Sequence, residues 1–433
     1  MKKRLLTAMM AAGVIFTSLT AEGGVEFSGE VESLWEVGAP WTDSDTAAGK
    51  YSLGDTALTG TIDAWYDNST AKAEGIISYD AITNELDISL NEIWLDYTES
   101  FWGIRIGRQK TAWGKADGID ITNIICPKDM SGFSAMISDD NHLAIDAVRL
   151  SLSGEKFTAD AYWIPFFTPT PLPLDEGNPL RKFAVPETFE LPIPAMNTTL
   201  KLPVSVGEIE KPEAAIWNSE FGAKLSGYFS AFDVSLYGFY GWDDTPVFDS
   251  EVSFGPAVPP YPAMPDGITL TGKYKRLAML GADAAIPVKE TVIRAEAAFF
   301  PQRYFAVSEQ RNQLSALLGI DWMPVDWTIT AQYFCDVVFG NLDPIEREDA
   351  YKHGATLSVT RNLLNETLEA SFSGLVNFND FDSLLNPSVS YSLSDQIKLE
   401  GGAYIFIPGP DEDGEYGQYK DLSTIYIKGK YSF

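Results

Sequence analysis

The sequence predicts an all-β fold: a transmembrane antiparallel β-barrel of about eighteen strands, with sixteen as the alternative count. Three observations predict it. Apolar and polar residues alternate with period two along most of the 433-residue chain, the repeat of strands with two unlike faces. The alternating segments run about ten residues or more, the length a tilted strand needs to span a bilayer. The connections switch between tight turns and long loops, as they do when turns gather at one membrane surface and loops at the other.

The elements follow in chain order. MKKR is basic, LLTAMMAAGVIF is a short apolar run and TSLTA ends in small residues. This is the three-part pattern of a secretory signal peptide, placed at 1–21 with the cut after Ala21. The apolar run is nearer the ~12 residues of a signal core than the ~20 of a membrane helix. Residues 22–433 are then one exported domain. No cysteine lies near the cut to carry a lipid anchor. No later stretch is apolar for long enough to cross a bilayer as a helix.

Eighteen candidate strands follow, near 25–37, 58–68, 70–81, 86–98, 101–109, 142–152, 155–164, 214–228, 230–243, 268–285, 289–301, 311–323, 326–340, 350–362, 365–378, 384–393, 396–407 and 422–433. Their faces differ sharply. Phe157, Ala159, Ala161 and Trp163 oppose Thr158 and Asp160. Val234, Leu236, Gly238 and Tyr240 oppose Asp233, Ser235 and Tyr237. Ile329, Ala331, Tyr333, Cys335 and Val337 oppose Thr328, Thr330, Gln332 and Asp336. Leu368, Ala370, Phe372 and Gly374 oppose Glu369, Ser371 and Ser373. Ile425, Ile427, Tyr431 and Phe433 oppose Tyr426, Lys428, Lys430 and Ser432. Segments 86–98 and 142–152 each slip phase once, which marks a bulge or a misplaced boundary.

Every second connection is tight: around Asp67-Asn68-Ser69, Ser153-Gly154-Glu155, Pro324-Val325-Asp326 and Ser394-Asp395, for example. The others include the long segments 38–57, 110–141, 165–213, 244–267 and 408–421. A soluble β-sandwich would share the alternation but not this rule of loop length. In a membrane barrel the apolar face meets lipid and the polar face lines the lumen. Closure pairs every backbone group, as lipid demands. Trp163, Trp217, Trp242, Trp322 and Trp327 gather near strand ends, as interfacial girdles do. The expected place is a bacterial outer membrane, surrounded by its lipids, with both chain ends in the periplasm.

Charge and motif inventory exclude other classes. The formal charge is −30. Loss of Lys2, Lys3 and Arg4 with the signal leaves 28 basic against 61 acidic residues, or −33. Such a chain will not bind nucleic acid through its phosphates. Cys126 and Cys335 are too few for a disulfide framework. Only two histidines exist, His142 and His353, and His142 reads as a plain surface residue at a loop–strand junction. No nucleophile elbow, H-E-x-x-H motif or Ser/His/acid set is present, so neither an enzyme nor a cofactor is expected. GRQKTAWGKADG (Gly107–Gly118) carries a Gly-Lys pair. It is no phosphate loop, because Ala116 follows Lys115, Gly107 is too far upstream and no βαβ unit surrounds it. Asp117, Gly118 and Asp120 lack the order of a calcium loop.

The same stretch carries a resemblance. NEIWLDY (Asn91–Tyr97), then Ile106-Gly107-Arg108-Gln109 and Trp113-Gly114, resemble a signature of porin-like bacterial outer-membrane proteins. In these a strand ending in L-G-R-Q is followed by W-G and, downstream, N-P-x-D. Here the last element is Cys126-Pro127-Lys128-Asp129, with Cys in place of Asn. The resemblance covers about thirty residues. It implies an outer-membrane channel for organic or carbohydrate solutes and identifies none. General porins fold their third external loop into the lumen. By analogy 110–141 is a candidate constriction loop. Its glycines allow tight passage, and Lys115, Asp117, Asp120, Lys128 and Asp129 face the channel. Arg105 and Arg108 on the preceding strand, with Arg294 and Glu296 across the barrel, complete the pore-lining candidates. Opposed charges there select solutes by charge and size. An ordinary external loop is the alternative. Phe433 resembles the aromatic last residue read by the barrel-assembly machinery.

Loops 165–213 and 244–267 are rich in proline, which supplies stiff extended chain. They form a lid, a plug or a rigid surface. The expected function is passive diffusion of small polar solutes. Candidate lumen residues carry both signs: Lys224, Arg294, Lys398, Lys428 and Lys430 against Glu220, Glu296, Glu369 and Glu400. They argue against strong anion selectivity, and the acidic loops give only a weak cation preference. The alternatives are a transporter of hydrophobic or organic substrates, and a surface binding protein or adhesin on a barrel scaffold. A homo-oligomer is compatible with each.

Overall fold

The computed structural model describes residues 23–433 apart from 44, 46, 133–140, 179, 194–197, 257–262, 346, 412 and 413. The signal segment 1–21 lies outside the described residues, as do parts of the three longest loops. Alternation produces twenty-two strands: β1 (Gly23–Gly38), β2 (Tyr51–Tyr66), β3 (Ser69–Asp80), β4 (Glu85–Thr98), β5 (Trp102–Gln109), β6 (Ile145–Ser153), β7 (Phe157–Ile164), β8 (Thr188–Ile193), β9 (Thr198–Glu210), β10 (Glu220–Tyr228), β11 (Asp233–Trp242), β12 (Val247–Phe254), β13 (Pro265–Lys273), β14 (Arg276–Val288), β15 (Thr291–Ala306), β16 (Glu309–Trp322), β17 (Trp327–Phe339), β18 (Tyr351–Leu363), β19 (Leu368–Asn377), β20 (Asp382–Ser392), β21 (Ile397–Ile407) and β22 (Thr424–Ser432).

Eighteen of them form one antiparallel sheet in which sequence neighbours pair. β7 passes to β10, and β11 to β14. The sheet closes where β1 meets β22, from Glu30 opposite Ser432 to Gly38 opposite Thr424. The closed ring leaves no barrel edge to be desolvated unpaired. The eighteen-strand expectation therefore holds.

The two phase slips have different causes. In β4, Glu74 pairs with Glu92 while Gly75 pairs with Leu90, so Asn91 is the extra residue of a bulge. Its side chain donates to Glu74 at 2.5 Å. The 142–152 segment instead had its start misplaced, since β6 begins at Ile145. The segment read as one strand at 268–285 is two. β13 ends at Lys273, and β14 enters the barrel at Arg276.

β13 belongs to a second sheet outside the barrel, ordered β12-β13-β9-β8, with β13 and β9 parallel. The Pro-rich loops thus carry regular structure of their own. The long connections are on the end of the barrel opposite the tight turns. The two-residue turns among them place Asp67 and Lys289 at positive φ, as their hairpin geometry requires, and the four-residue turn from Trp322 to Trp327 places Asp326 there as well.

Burial follows the alternation. On β11, Leu236 and Tyr240 are each 54% exposed, whereas Tyr237 and Phe239 between them are buried. On β16, Leu318 is exposed and Leu317 buried. Exposed tryptophans mark both ends. Trp163 and Trp217 stand at the long-loop end, and Trp322 and Trp327 flank a tight turn. Cys126 and Cys335 are free thiols.

Candidate functional site: the loop inside the barrel

The connection from β5 to β6 does not stay outside. Trp113 packs on Tyr162 of β7 and Tyr237 of β11, with ring centroids at 5.9 and 5.1 Å. Ile121, Ile125 and Cys126 join the same buried cluster as Met279 of β14 and Phe300 of β15. These wall residues occupy the inward phase of their strands, opposite the exposed apolar set. Residues 113–126 therefore lie against the inner wall from β7 to β17. Close approach needs a small wall residue. A Cβ added at Gly281 would stand 2.7 Å from Cγ2 of Thr122.

Polar contacts fix the loop at its tip. The Glu296 carboxylate accepts the backbone N–H of Lys115 at 2.7 Å, Ala116 at 3.0 Å and Thr122 at 2.7 Å, and the Thr122 hydroxyl at 2.7 Å. Four donors converging on the buried carboxylate replace the hydration that it loses. Beside it, Arg294 donates to the Lys115 carbonyl at 2.5 Å and pairs with Asp117 and with Asp321 of β16. Gln332 of β17 accepts the Asp117 N–H at 3.0 Å and donates to its carbonyl at 2.7 Å. Gly114, at φ +82°, makes the turn into this cradle. A Cβ there would be 2.4 Å from Glu296 Oε1.

A second clasp lies within the loop. Asp120 pairs with Lys128 at 2.5 Å and lies 3.4 Å from His142 Nε2. Burial alone would raise the Asp120 carboxyl. The hydrogen bond from His142 and the Lys128 charge outweigh it and hold the group below the ordinary carboxylate range. His142 is thus part of the loop's internal framework, not the plain surface residue expected. Burial pushes the Cys126 thiol up to about 12, so it packs as an inert apolar group.

Of the nine pore-lining candidates, the fold gathers four into the tip cradle: Lys115, Asp117, Arg294 and Glu296. Asp120 and Lys128 form the internal clasp. Asp129 accepts the Ser131 N–H at 2.9 Å and borders the open cavity. Arg105 and Arg108 form pairs of their own, and Arg108 borders the same cavity as Asp129. Arg105 donates to Asp96 at 2.9 Å and lies 3.8 Å above the Trp94 ring. Arg108 pairs with Asp146 at 2.8 Å. The sequence reading missed Gln332, Asp321 and Tyr237. One signal for Tyr237 was present: an aromatic on the polar phase of β11.

The other half of the lumen is open. A cavity of ≈ 1240 Å³ is bordered by inward residues of β1–β4 and β20–β22 and by the loop. Lysines of these strands are matched with acids: Lys72 with Glu74 and Glu92 (2.9 and 2.7 Å), Lys428 with Glu400 (3.5 Å) and Lys430 with Glu30 (2.5 Å). Each such pair is worth little to stability in a wet lumen. Together they leave the acids in excess.

A family model described as "Protein of unknown function (DUF1302)" matches residues 43–423. No curated protein matches the sequence. Several solved structures resemble the fold. OpdK of Pseudomonas aeruginosa, an outer membrane protein, is 7% identical over 95% of this chain and 99% of that one, with a TM-score of 0.54. OpdL of the same organism is 10% identical over 94% and 98%, with a TM-score of 0.52. OccAB4 of Acinetobacter baumannii is 7% identical over 96% and 99%, with a TM-score of 0.51. At such identity the likeness is one of fold.

Proposed function

We propose, on the premise that this chain belongs to the family described as Protein of unknown function (DUF1302), that it is an outer-membrane channel for passive diffusion of small polar solutes. The observation that carries the proposal is the inward loop. It is anchored by Glu296 and Arg294 on one half of the wall and leaves the ≈ 1240 Å³ cavity on the other. A loop anchored this way narrows the lumen without sealing it. Polar and charged side chains line the open half, so ions and hydrated solutes meet wall groups that replace part of their hydration. The belt of exposed apolar residues and tryptophans suits a bilayer. The lumen-facing candidates act as a sieve, with the acid excess favouring cations over anions of equal size.

Reconstitution in planar lipid bilayers tests the reading. Steady ohmic conductance with a cation-favouring reversal potential in a KCl gradient supports it. A folded barrel that inserts and stays electrically silent refutes it.

A further inference from the structure

We propose that the inner wall formed by β1, β2, β21 and β22 is a binding site for linear organic di- and polyamines entering the cavity. The inference deepens the channel reading and rests on it for access of the ligand to the lumen.

Three carboxylates facing the cavity, Glu32, Glu36 and Asp55, have no cation at ion-pair distance among the described residues. Their neighbours do: Glu30 pairs with Lys430 and Glu400 with Lys428. The cavity's Arg108 is likewise taken, by Asp146.

The register staggers the three across two neighbouring strands. Asp55 pairs with Leu34, midway between Glu32 and Glu36 on the inward row of β1. Inward residues of a strand follow one another at about 6.6 Å, two residues of rise. Asp55 is thus a diagonal cross-strand neighbour of both glutamates, about 7–8 Å from each at the backbone, a spacing that flexible carboxylate side chains can close onto the amines of a three- or four-carbon linker. Asp55 also stands directly opposite Asp80 of β3. Like charges in that position repel, and a bound cation relieves them.

Glu36 supplies an independent sign of a missing partner. It is only 3% exposed, and among the described residues its Oε1 makes no well-formed hydrogen bond, the neighbouring Thr424 hydroxyl being likewise unpaired. A buried carboxyl oxygen without a donor is costly. Across the strand from Glu36 is Tyr426. Tyr426 stacks on Tyr404 with centroids 4.9 Å apart, and its hydroxyl donates to Glu400 at 2.8 Å. Both rings border the cavity. A carboxylate beside aromatic faces is the chemistry that holds an ammonium group. A divalent metal suits the wall less. Hard cations want six or more oxygens converging on one point, and among the described residues no group of three acidic, histidine or cysteine side chains is placed to ligate one.

The test is calorimetric titration of the folded, detergent-solubilised chain with spermidine at low salt. The expected result is saturable binding, weakened about tenfold in Glu36→Gln, the worth of one charge-assisted hydrogen bond, and weakened further when Asp55→Asn is added. Lys398→Gln, away from this row, should bind as the parent does. Heat-modifiable gel migration reports folding. If the double variant does not fold, Glu32→Gln takes its place. Equal spermidine affinity in parent and variants overturns the site. So does displacement by Mg²⁺ as effective as displacement by putrescine, since that marks mere screening. A barrel that binds spermidine but carries no current refutes the channel and leaves the amine site. A conducting barrel blind to spermidine does the reverse.

Discussion

Glu296 on β15 accepts the backbone N–H of Lys115 at 2.7 Å, across 181 positions of sequence. Through this contact and its three companions, one side chain of the barrel wall determines where the β5–β6 loop lies.

Removing that carboxylate should release the loop. Glu296→Ala strands buried backbone donors, each costing about 1–3 kcal/mol when unmet. Single-channel records should then show added noise and a higher mean conductance. Glu296→Gln keeps one accepting oxygen and turns an amide toward the donors, so it should fall between. A parental trace in Glu296→Ala would show that the hydrophobic contacts hold the loop alone.

Gly114→Ala should disturb the same cradle from the loop side. A side chain at φ +82° costs about 1–2 kcal/mol. The added Cβ meets Glu296 Oε1 at 2.4 Å. Limited proteolysis of intact liposomes should cut the loop of the variant faster, while the heat-modifiable barrel stays folded. Equal rates of cutting would speak against a strained turn.

Much of the barrel was legible in the sequence because lipid and water impose opposite demands on alternate residues. The closed ring and its strand number follow from that pattern and from loop length. The loop's path was less legible. Its anchors Glu296 and Arg294 looked like ordinary lumen charges, and nothing local in Gln332 announces a partner 215 positions away, or in Asp321 its hold on Arg294. The apolar side of the anchoring did leave a trace. Tyr237 and Phe239 on β11 flank Gly238 on the phase that should be polar, as do Leu277 and Met279 on β14. Apolar residues on both faces of a barrel strand mean that something apolar fills the lumen beside it, and Trp113, Ile121 and Ile125 are what fill it. The external sheet was missed for another reason. Its strands sit among prolines, and β13 runs almost directly into β14, so one period-two signal covered two elements.

Acid should loosen the loop through Asp120. Its carboxyl is held below the ordinary range in the folded chain. In the unfolded chain it takes up its proton at higher pH. The folded state thus binds fewer protons in the window between the two values, and stability rises with pH there. The stabilisation is complete above the ordinary carboxylate pKa and is lost as pH falls through the depressed one. Current noise should grow over that acid window in the parent. It should grow less in Asp120→Asn, which lacks the titrating group. Identical pH profiles would remove Asp120 from the account.

Deleting 115–124 is the most direct test of what the loop does to flow. The deletion removes the backbone held by Glu296, Arg294 and Gln332 but spares Trp113 and Ile125, whose burial against Tyr162 and Tyr237 supports the wall. The barrel pairing involves none of these residues, so the ring should still close. Conductance should rise, because the segment fills lumen that water would then occupy. Cation preference should persist, since Glu32, Glu36 and Asp55 lie on the opposite wall, untouched by the deletion. A rise in conductance with loss of selectivity would place the filter in the loop itself. An unchanged conductance in a folded deletion variant would mean that the narrowest passage is elsewhere, and the constriction assigned to this loop would have to be abandoned.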